Sequence, residues 1–227
     1  RVHDLVTGGI SIDSITADGS TALHVAAMYG HLEMTVLLVF LKANLNAINK
    51  FKRTPLVVAI VNKNFKVCEF LISSINIHLK DVKSKTPLLY CGELGAPVEL
   101  LKDLIKKGAN VNDKLPNGKT FLHIVTCNSP LNVIDLINYF IEAGGDVNAF
   151  CNVNYTPLHE ASILGNFCVA KFLLEKGAVI DARSLKSTTP LHFAIDTKHL
   201  EVAKLLIENG ANINAVDQTN WSPLHFA

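Results

Sequence analysis

The chain has 227 residues, 49% of them hydrophobic, with a formal net charge of +1 and a pI of about 7.8. That apolar content supports a packed core and excludes wholesale disorder. The balanced charge gives no whole-chain argument for nucleic acid or an anionic membrane surface.

The five cysteines, Cys68, Cys91, Cys127, Cys151 and Cys168, are odd in number, widely spaced and without a CxxC pair. A disulfide framework or zinc site is not expected; buried, inert thiols in a reducing compartment are. No run reaches the ~20 apolar residues of a membrane span, the longest lying at 36–41. No signal peptide is visible, and the chain opens at Arg1 without Met.

In chain order, residues 2–9 (VHDLVTGG) read as the tail of a helix with its glycine stop, and then one phrase returns throughout. It stands as TALH at 21–24, TPLV at 54–57, TPLL at 86–89, TFLH at 120–123, TPLH at 156–159, TPLH at 189–192 and SPLH at 222–225. The steps between copies are 33, 32, 34, 36, 33 and 33 residues, a regularity that marks repeated architecture.

Each copy has the same grammar. Thr or Ser stands where a helix N-cap is wanted, and in five copies Pro follows at the first helical position, where its missing donor is harmless. A short apolar helix such as LHFAI at 191–195 comes next, then a break at Gly30-His31, Lys63-Asn64, Gly95-Ala96, Gly165-Asn166 or Lys198-His199. A second helix follows; over 199–209 it places Leu200, Val202, Ala203, Leu205, Leu206 and Ile207 at helical spacing. Gly108, Gly144, Gly177 and Gly210 stop that helix and lead into polar hairpin segments such as GANIN at 210–214.

Three copies depart from the pattern. The second has Val57 for His and Lys63 for Gly, and lacks the terminal Gly, reading SSINIH at 73–78. The third has Leu89 for His, with Pro97 expected to start its second helix. The fourth carries extra residues around 127–131, where an irregular loop is expected with Pro130 near a helix start.

Phrase and period together resemble the ankyrin-repeat family, over essentially the whole chain. The resemblance implies an all-α fold, an ankyrin-repeat solenoid of stacked helix-turn-helix pairs joined by β-hairpin-like loops. The expected domain is 1–227, with a partial repeat at 1–16, repeats at about 17–49, 50–81, 82–115, 116–151, 152–184 and 185–217, and a truncated repeat at 218–227. Neither end has the polar-faced repeat that shields a solenoid terminus, so a longer parent array is expected.

His24, His123, His159, His192 and His225 share one phase of the repeat. Stacked helices ~8–10 Å apart would hold equivalent histidines in a row, whereas zinc needs nitrogens converging at ~2.0–2.1 Å. No metal ligand is therefore assigned. The resemblance implies a structural role, each His bonding back to its capping residue and to the repeat junction. The motif residues are thus Thr21, His24, Thr54, Thr86, Thr120, His123, Thr156, His159, Thr189, His192, Ser222 and His225.

There is no GxGxxG, P-loop, HExxH or GxSxG, and nothing in the sequence pairs a Cys with a His. No catalytic residue, cofactor or small-molecule substrate is assigned, and no enzymatic activity is expected. The sequons at Asn154 and Asn220 use Thr156 and Ser222, which already serve as caps.

The resemblance implies a binding module whose partner meets a concave face of hairpin tips and first helices. By phase, the candidate partner-binding residues are Met28, Tyr29, Lys50, Phe51, Arg53, Lys83, Lys85, Tyr155, Ile163, Leu164 and Trp221. Basic residues gather at the tips of copies two to four, and aromatic residues stand at tips. The expected partner is another protein, offering an acidic segment with aromatic or apolar anchors; nucleic acid and direct membrane insertion are not expected. The function expected is a non-enzymatic interaction scaffold, intracellular in setting. The alternative is a targeting arm or spacer of a larger effector, membrane-active protein or venom toxin, with secretion in that case.

Overall fold

A computed structural model describes residues 11–73, 75–128 and 133–227. The chain divides into two compact units, Arg1–Asp113 and Lys114–Ala227. Unit 1 contains α1 (Ala22–Tyr29), α2 (Leu32–Phe40), α3 (Pro55–Val61), α4 (Phe65–Ile72), α5 (Pro87–Leu94) and α6 (Val98–Lys106). Unit 2 contains α7 (Phe121–Asn128), α8 (Val133–Glu142), α9 (Pro157–Ile163), α10 (Phe167–Glu175), α11 (Pro190–Asp196) and α12 (Leu200–Glu208), and closes on a 3₁₀ turn, Pro223–Phe226.

These helices are two or three turns long, too short to persist alone, so their stability comes from packing. Within unit 1, α1 packs on α3 and α3 on α5, while α2 packs on α4 and α4 on α6. Unit 2 repeats the scheme, with α7, α9 and α11 in one layer and α8, α10 and α12 in the other. Ala26, Ala59, Ala161 and Ala194 recur at one position of the first helices, each 3% exposed or less, and their size lets neighbouring backbones approach. Leu158, Leu173, Leu191 and Leu206 are fully buried in the core of unit 2; each such side chain contributes about 1.5–3 kcal/mol. Phe121 stacks on Phe140 in the same unit, with ring centroids 3.7 Å apart.

Local chemistry sets the boundaries. The capping residues Thr21, Thr54, Thr86, Thr156, Thr189 and Ser222 are extended, and Pro55, Pro87, Pro157, Pro190 and Pro223 each open the helix that follows. The breaks at Gly30, Lys63, Gly95, Gly165 and Lys198 are left-handed, with φ between 57° and 71°. Two lysines thus occupy a conformation that glycine fills elsewhere. Pro97 precedes α6 as its N-cap and does not lie within it. The irregular loop expected around 127–131 falls largely outside the described residues.

The hairpin-like loops are five-residue turns; among the described residues the only β-bridge is Lys114 with Thr120. In each turn the first N–H donates to the carbonyl just before the next cap, as in Asn49 to Arg53 and Asp81 to Lys85, both at 3.1 Å. An acceptor side chain often begins the turn and takes two of its N–H groups. Asn49 Oδ1 accepts from Phe51 and Arg53, and Asp217 Oδ1 from Thr219 and Trp221. Successive turns are tied by Val82 N–H to Phe51 O, 3.1 Å, and Leu185 N–H to Val153 O, 3.1 Å.

Candidate protein-binding face

The repeated histidines use both ring nitrogens. The N–H groups of Thr21, Thr120, Thr156 and Thr189 donate to Nδ1 of His24, His123, His159 and His192 at 3.1, 3.2, 3.0 and 3.1 Å. Nδ1 is therefore the acceptor and Nε2 carries the proton. Nε2–H donates to the carbonyls of Arg53, Tyr155, Thr188 and Trp221 at 2.9, 2.9, 3.3 and 3.1 Å. Each of those carbonyls stands directly before the cap of the next copy, so one ring fixes a helix start and ties two repeats. Burial holds His24 and His123 below the usual imidazole pKa and takes His159 down to about 4. Both nitrogens are committed, which leaves no lone pair for a metal or substrate. Among the described residues, no group of three or more His, Cys, Asp or Glu is placed to hold a metal ion.

Copies two and three lack this imidazole. Thr54 Oγ1 still accepts weakly from Val57 N–H at 3.4 Å, but the buried Thr86 hydroxyl has no hydrogen-bond partner. The His225 ring bonds Ser222 in the same way, 3.1 Å from N–H to Nδ1, although it is exposed.

A second register is carried by side chains. At three junctions the residue before the cap of one copy meets the residue four positions after the cap of the next. Arg53 Nη2 donates to Tyr90 Oη at 3.1 Å. Lys119 Nζ lies 2.7 Å from Glu160 Oε1. The Tyr155 ring meets Phe193 edge to face, with centroids 5.0 Å apart. Position is conserved across these pairs while the chemistry changes: cation on phenol, ion pair, aromatic pair.

The Arg53 contact belongs to a network. Tyr90 Oη donates to Asp81 Oδ2 at 2.6 Å, and Asp81 Oδ1 accepts from Lys83 and Lys85 N–H at 2.8 and 3.1 Å. Burial alone would raise the Asp81 pKa; the bonds from Tyr90 and the two amides, with Arg53, hold it below the usual carboxylate range. Burial and then Asp81 push Tyr90 up to about 12. Lys85 pairs with Glu93.

The predicted site residues therefore separate into groups. In the turns of unit 1, Lys50, Phe51 and Lys83 are exposed, Phe51 by 52%. Arg53 and Lys85 stand in the same turns but are half-buried, Arg53 bonded to Tyr90 and Lys85 paired with Glu93. At the end of α1, Met28 is half-buried and Tyr29 is 66% exposed, its ring stacked 6.0 Å from His31. In unit 2, Leu164 is 48% and Trp221 49% exposed, Ile163 is half-buried, and Tyr155 is half-buried against His159 and Phe193. The motif residues Thr21, Thr54, Thr86, Thr120, Thr156 and Thr189 are all buried.

Sequence reasoning missed three separate pairings: Arg53 with Tyr90 and Asp81 in unit 1, and Lys119 with Glu160 and Tyr155 with Phe193 in unit 2. It also missed that residues at the break reach back to the preceding copy. Asn64 Nδ2 donates to the carbonyls of Ala27 and Met28 at 2.9 and 2.7 Å, and His199 Nε2 donates to Ile163 O at 3.0 Å. The repeat phase was the available signal for both.

The cysteines need a correction too. Cys68, Cys91 and Cys151 are buried, but Cys127 is half-buried and Cys168 exposed. Burial pushes the Cys68 thiol up to about 12 and Cys127 up to about 11.

Comparison with known proteins agrees with this geometry. Family models for ankyrin repeats match residues 1–81 and 88–184, and residues 173–227. Mouse Rabankyrin-5 is 31% identical over 161 residues, covering 69% of this chain and 13% of that protein. NAD-dependent deacetylase sir2B of Dictyostelium discoideum is 26% identical over 188 residues, covering 68% of this chain and 24% of that protein. The chain thus spans a minor part of these relatives. The solved ankyrin repeat domain of Bcl-3, described as a member of the IkappaB protein family, superposes with a TM-score of 0.79 at 24% identity, over 92% of this chain and 95% of that one. With matched repeats from end to end and paired helices in the same order, this all-α repeat solenoid belongs to the ankyrin-repeat family.

Proposed function

We propose that this chain is a non-enzymatic scaffold that binds another protein through hairpin tips and adjoining first helices, and that the turns of unit 1 receive an acidic segment with an apolar or aromatic anchor. Ankyrin repeats are in general protein–protein interaction modules. One observation carries the finer reading: Lys50, Lys52 and Lys83 are exposed in adjoining turns, and among the described residues none of the three side chains makes an ion pair. Exposed Phe51 and Val82, 52% and 54%, lie between them. Unpaired cations around apolar surface attract an acidic chain and give it an anchor. Nucleic acid is the weaker partner, because these residues form no groove-reading motif.

The test uses a partner identified by mass spectrometry and then purified. Lys50→Glu with Lys83→Glu lowers its association rate at least about tenfold at low salt. Association unchanged by that double reversal contradicts this placement.

A second reading has its own support. The matched relatives are several times longer than the shared stretch, and some carry enzyme names, so this segment also fits the arm of a larger protein whose activity lies elsewhere. Among the described residues no helix is long and apolar enough to cross a membrane.

A further inference from the structure

We infer that the Arg53 guanidinium is a built receptor for one oxyanion, carboxylate or phosphate, on the partner's acidic segment; this rests on the reading of the unit 1 turns given above. A half-buried arginine beside a buried aspartate invites a simpler account, in which Arg53 serves only to neutralise Asp81. The geometry is against it. Asp81 already takes three hydrogen bonds, from Tyr90 Oη and from the N–H groups of Lys83 and Lys85. Arg53 Nε stands 3.6 Å from Asp81 Oδ2 and makes no hydrogen bond. The carboxylate is satisfied without the guanidinium.

The guanidinium is nevertheless fixed. Nη2 is held by Tyr90 Oη, and the central carbon lies 5.6 Å from the ring centroids of both Phe51 and Tyr90. Among the described residues Nη1 makes no hydrogen bond, and the side chain stays 24% exposed. A planar fork with spare donors, oriented in advance, is the arrangement that recognises carboxylate and phosphate.

The surroundings favour an anion over water. Lys50 and Lys52 share the turn with Arg53, and Lys83 lies in the adjoining one. The acids of the neighbouring turns and helix are already engaged: Asp81 by its donors, Glu93 by Lys85, and Asp18, whose carbonyl accepts from Lys50 N–H, by Thr16 and Ser20. Next to the fork, Phe51 and Val82 are exposed and joined through Val82 N–H to Phe51 O. The partner group that fits is an oxyanion with an apolar neighbour.

The experiment titrates the ¹⁵N-labelled chain with phenyl phosphate, phenylacetate and benzyl alcohol, and follows the Arg53 side-chain Nε–H and the Phe51 and Val82 amides by NMR. Saturable shifts at all three positions with an anionic probe, and none with the alcohol, are expected. The stronger of the two anions tells phosphate from carboxylate. Arg53→Lys keeps the charge beside Asp81, and its melting temperature and amide spectrum report whether it folds as the parent does. In that variant anion affinity falls at least about tenfold. Equal affinity in Arg53→Lys, or shifts confined to the lysines, shows diffuse charge in place of a receptor and overturns the inference. Failure of the inference and of the reading beneath it are told apart with the identified partner: indifference to Arg53→Lys alone removes the anchor, while indifference to Lys50→Glu and Lys83→Glu as well removes the basic turns as a docking site.

Discussion

Lys119 Nζ lies 2.7 Å from Glu160 Oε1, although the two residues belong to successive copies of the repeat. The carboxylate is nearly enclosed, with a side-chain exposure of 9% against 31% for the lysine. Burial alone would lower the Lys119 pKa; the Glu160 carboxylate raises it above the ordinary value. Removing one partner leaves a buried charge behind. Lys119→Met is expected to cost about 1–3 kcal/mol in urea unfolding. Lys119→Met with Glu160→Leu recovers most of that loss, since a buried pair replaced by apolar groups costs little. A double variant no more stable than the single one contradicts the pairing.

The histidine ties predict an acid-sensitive window. His24, His123 and His159 are held neutral in the fold, His159 with a pKa of about 4, whereas unfolded imidazoles titrate near 6.5. Between those values the unfolded chain binds more protons, so stability falls as pH drops from about 6.5 toward 4 and is insensitive to these groups above that range. The depressed carboxylates Asp81 and Asp217 lose their contribution only at lower pH, as it falls below the usual 3.8. Urea unfolding at stepped pH checks the window. His159→Gln lowers stability at pH 7 and flattens the slope; an unchanged slope contradicts a neutral His159.

The caps are not equivalent. Thr156 Oγ1 accepts from His159 N–H at 3.4 Å and lies 2.9 Å from the same residue's Nδ1, while the Thr86 hydroxyl is buried without a partner. Thr156→Val is expected to cost about 1 kcal/mol. Thr86→Val removes an unsatisfied group and changes stability by less than about 0.5 kcal/mol, or raises it. Equal losses at the two sites, measured by the same denaturant titration, contradict this difference.

What could be read in advance follows from what repeats. The period, the Thr-Pro helix starts and the glycine breaks are local rules applied copy after copy, so the helix order could be read from them. Arg53 was legible as a basic tip residue, but its tie to Tyr90 was not. That contact joins positions 37 residues apart and depends on how far one copy is shifted against the next. Likewise the left-handed position two residues before each cap is filled by Gly19, Lys52, Ser84, Gly118, Asn154, Ser187 and Asn220, a set with no shared residue type.

Gly118 is the one of these where substitution is most costly. Its φ is +77°, and a Cβ there would lie 2.4 Å from Asn152 Oδ1 and 2.6 Å from Asn152 N. Asn152 cannot yield freely, because its side chain donates to Pro116 O at 2.9 Å and its N–H to Asn117 O at 2.9 Å. Gly118→Ala is expected to lower stability by about 1–3 kcal/mol. Thermal unfolding checks it, and a neutral result contradicts the close approach of these turns.

The central claim is that the stack serves to present its tips to another protein. Its most direct measurement is calorimetric binding of the purified, identified partner to the chain, at low and at raised salt, with the parent sequence and with Lys50→Glu plus Lys83→Glu. A saturable protein complex, weakened by salt and by the double reversal while the melting temperature holds, is the predicted result. A partner whose affinity is untouched by both salt and charge reversal contradicts it.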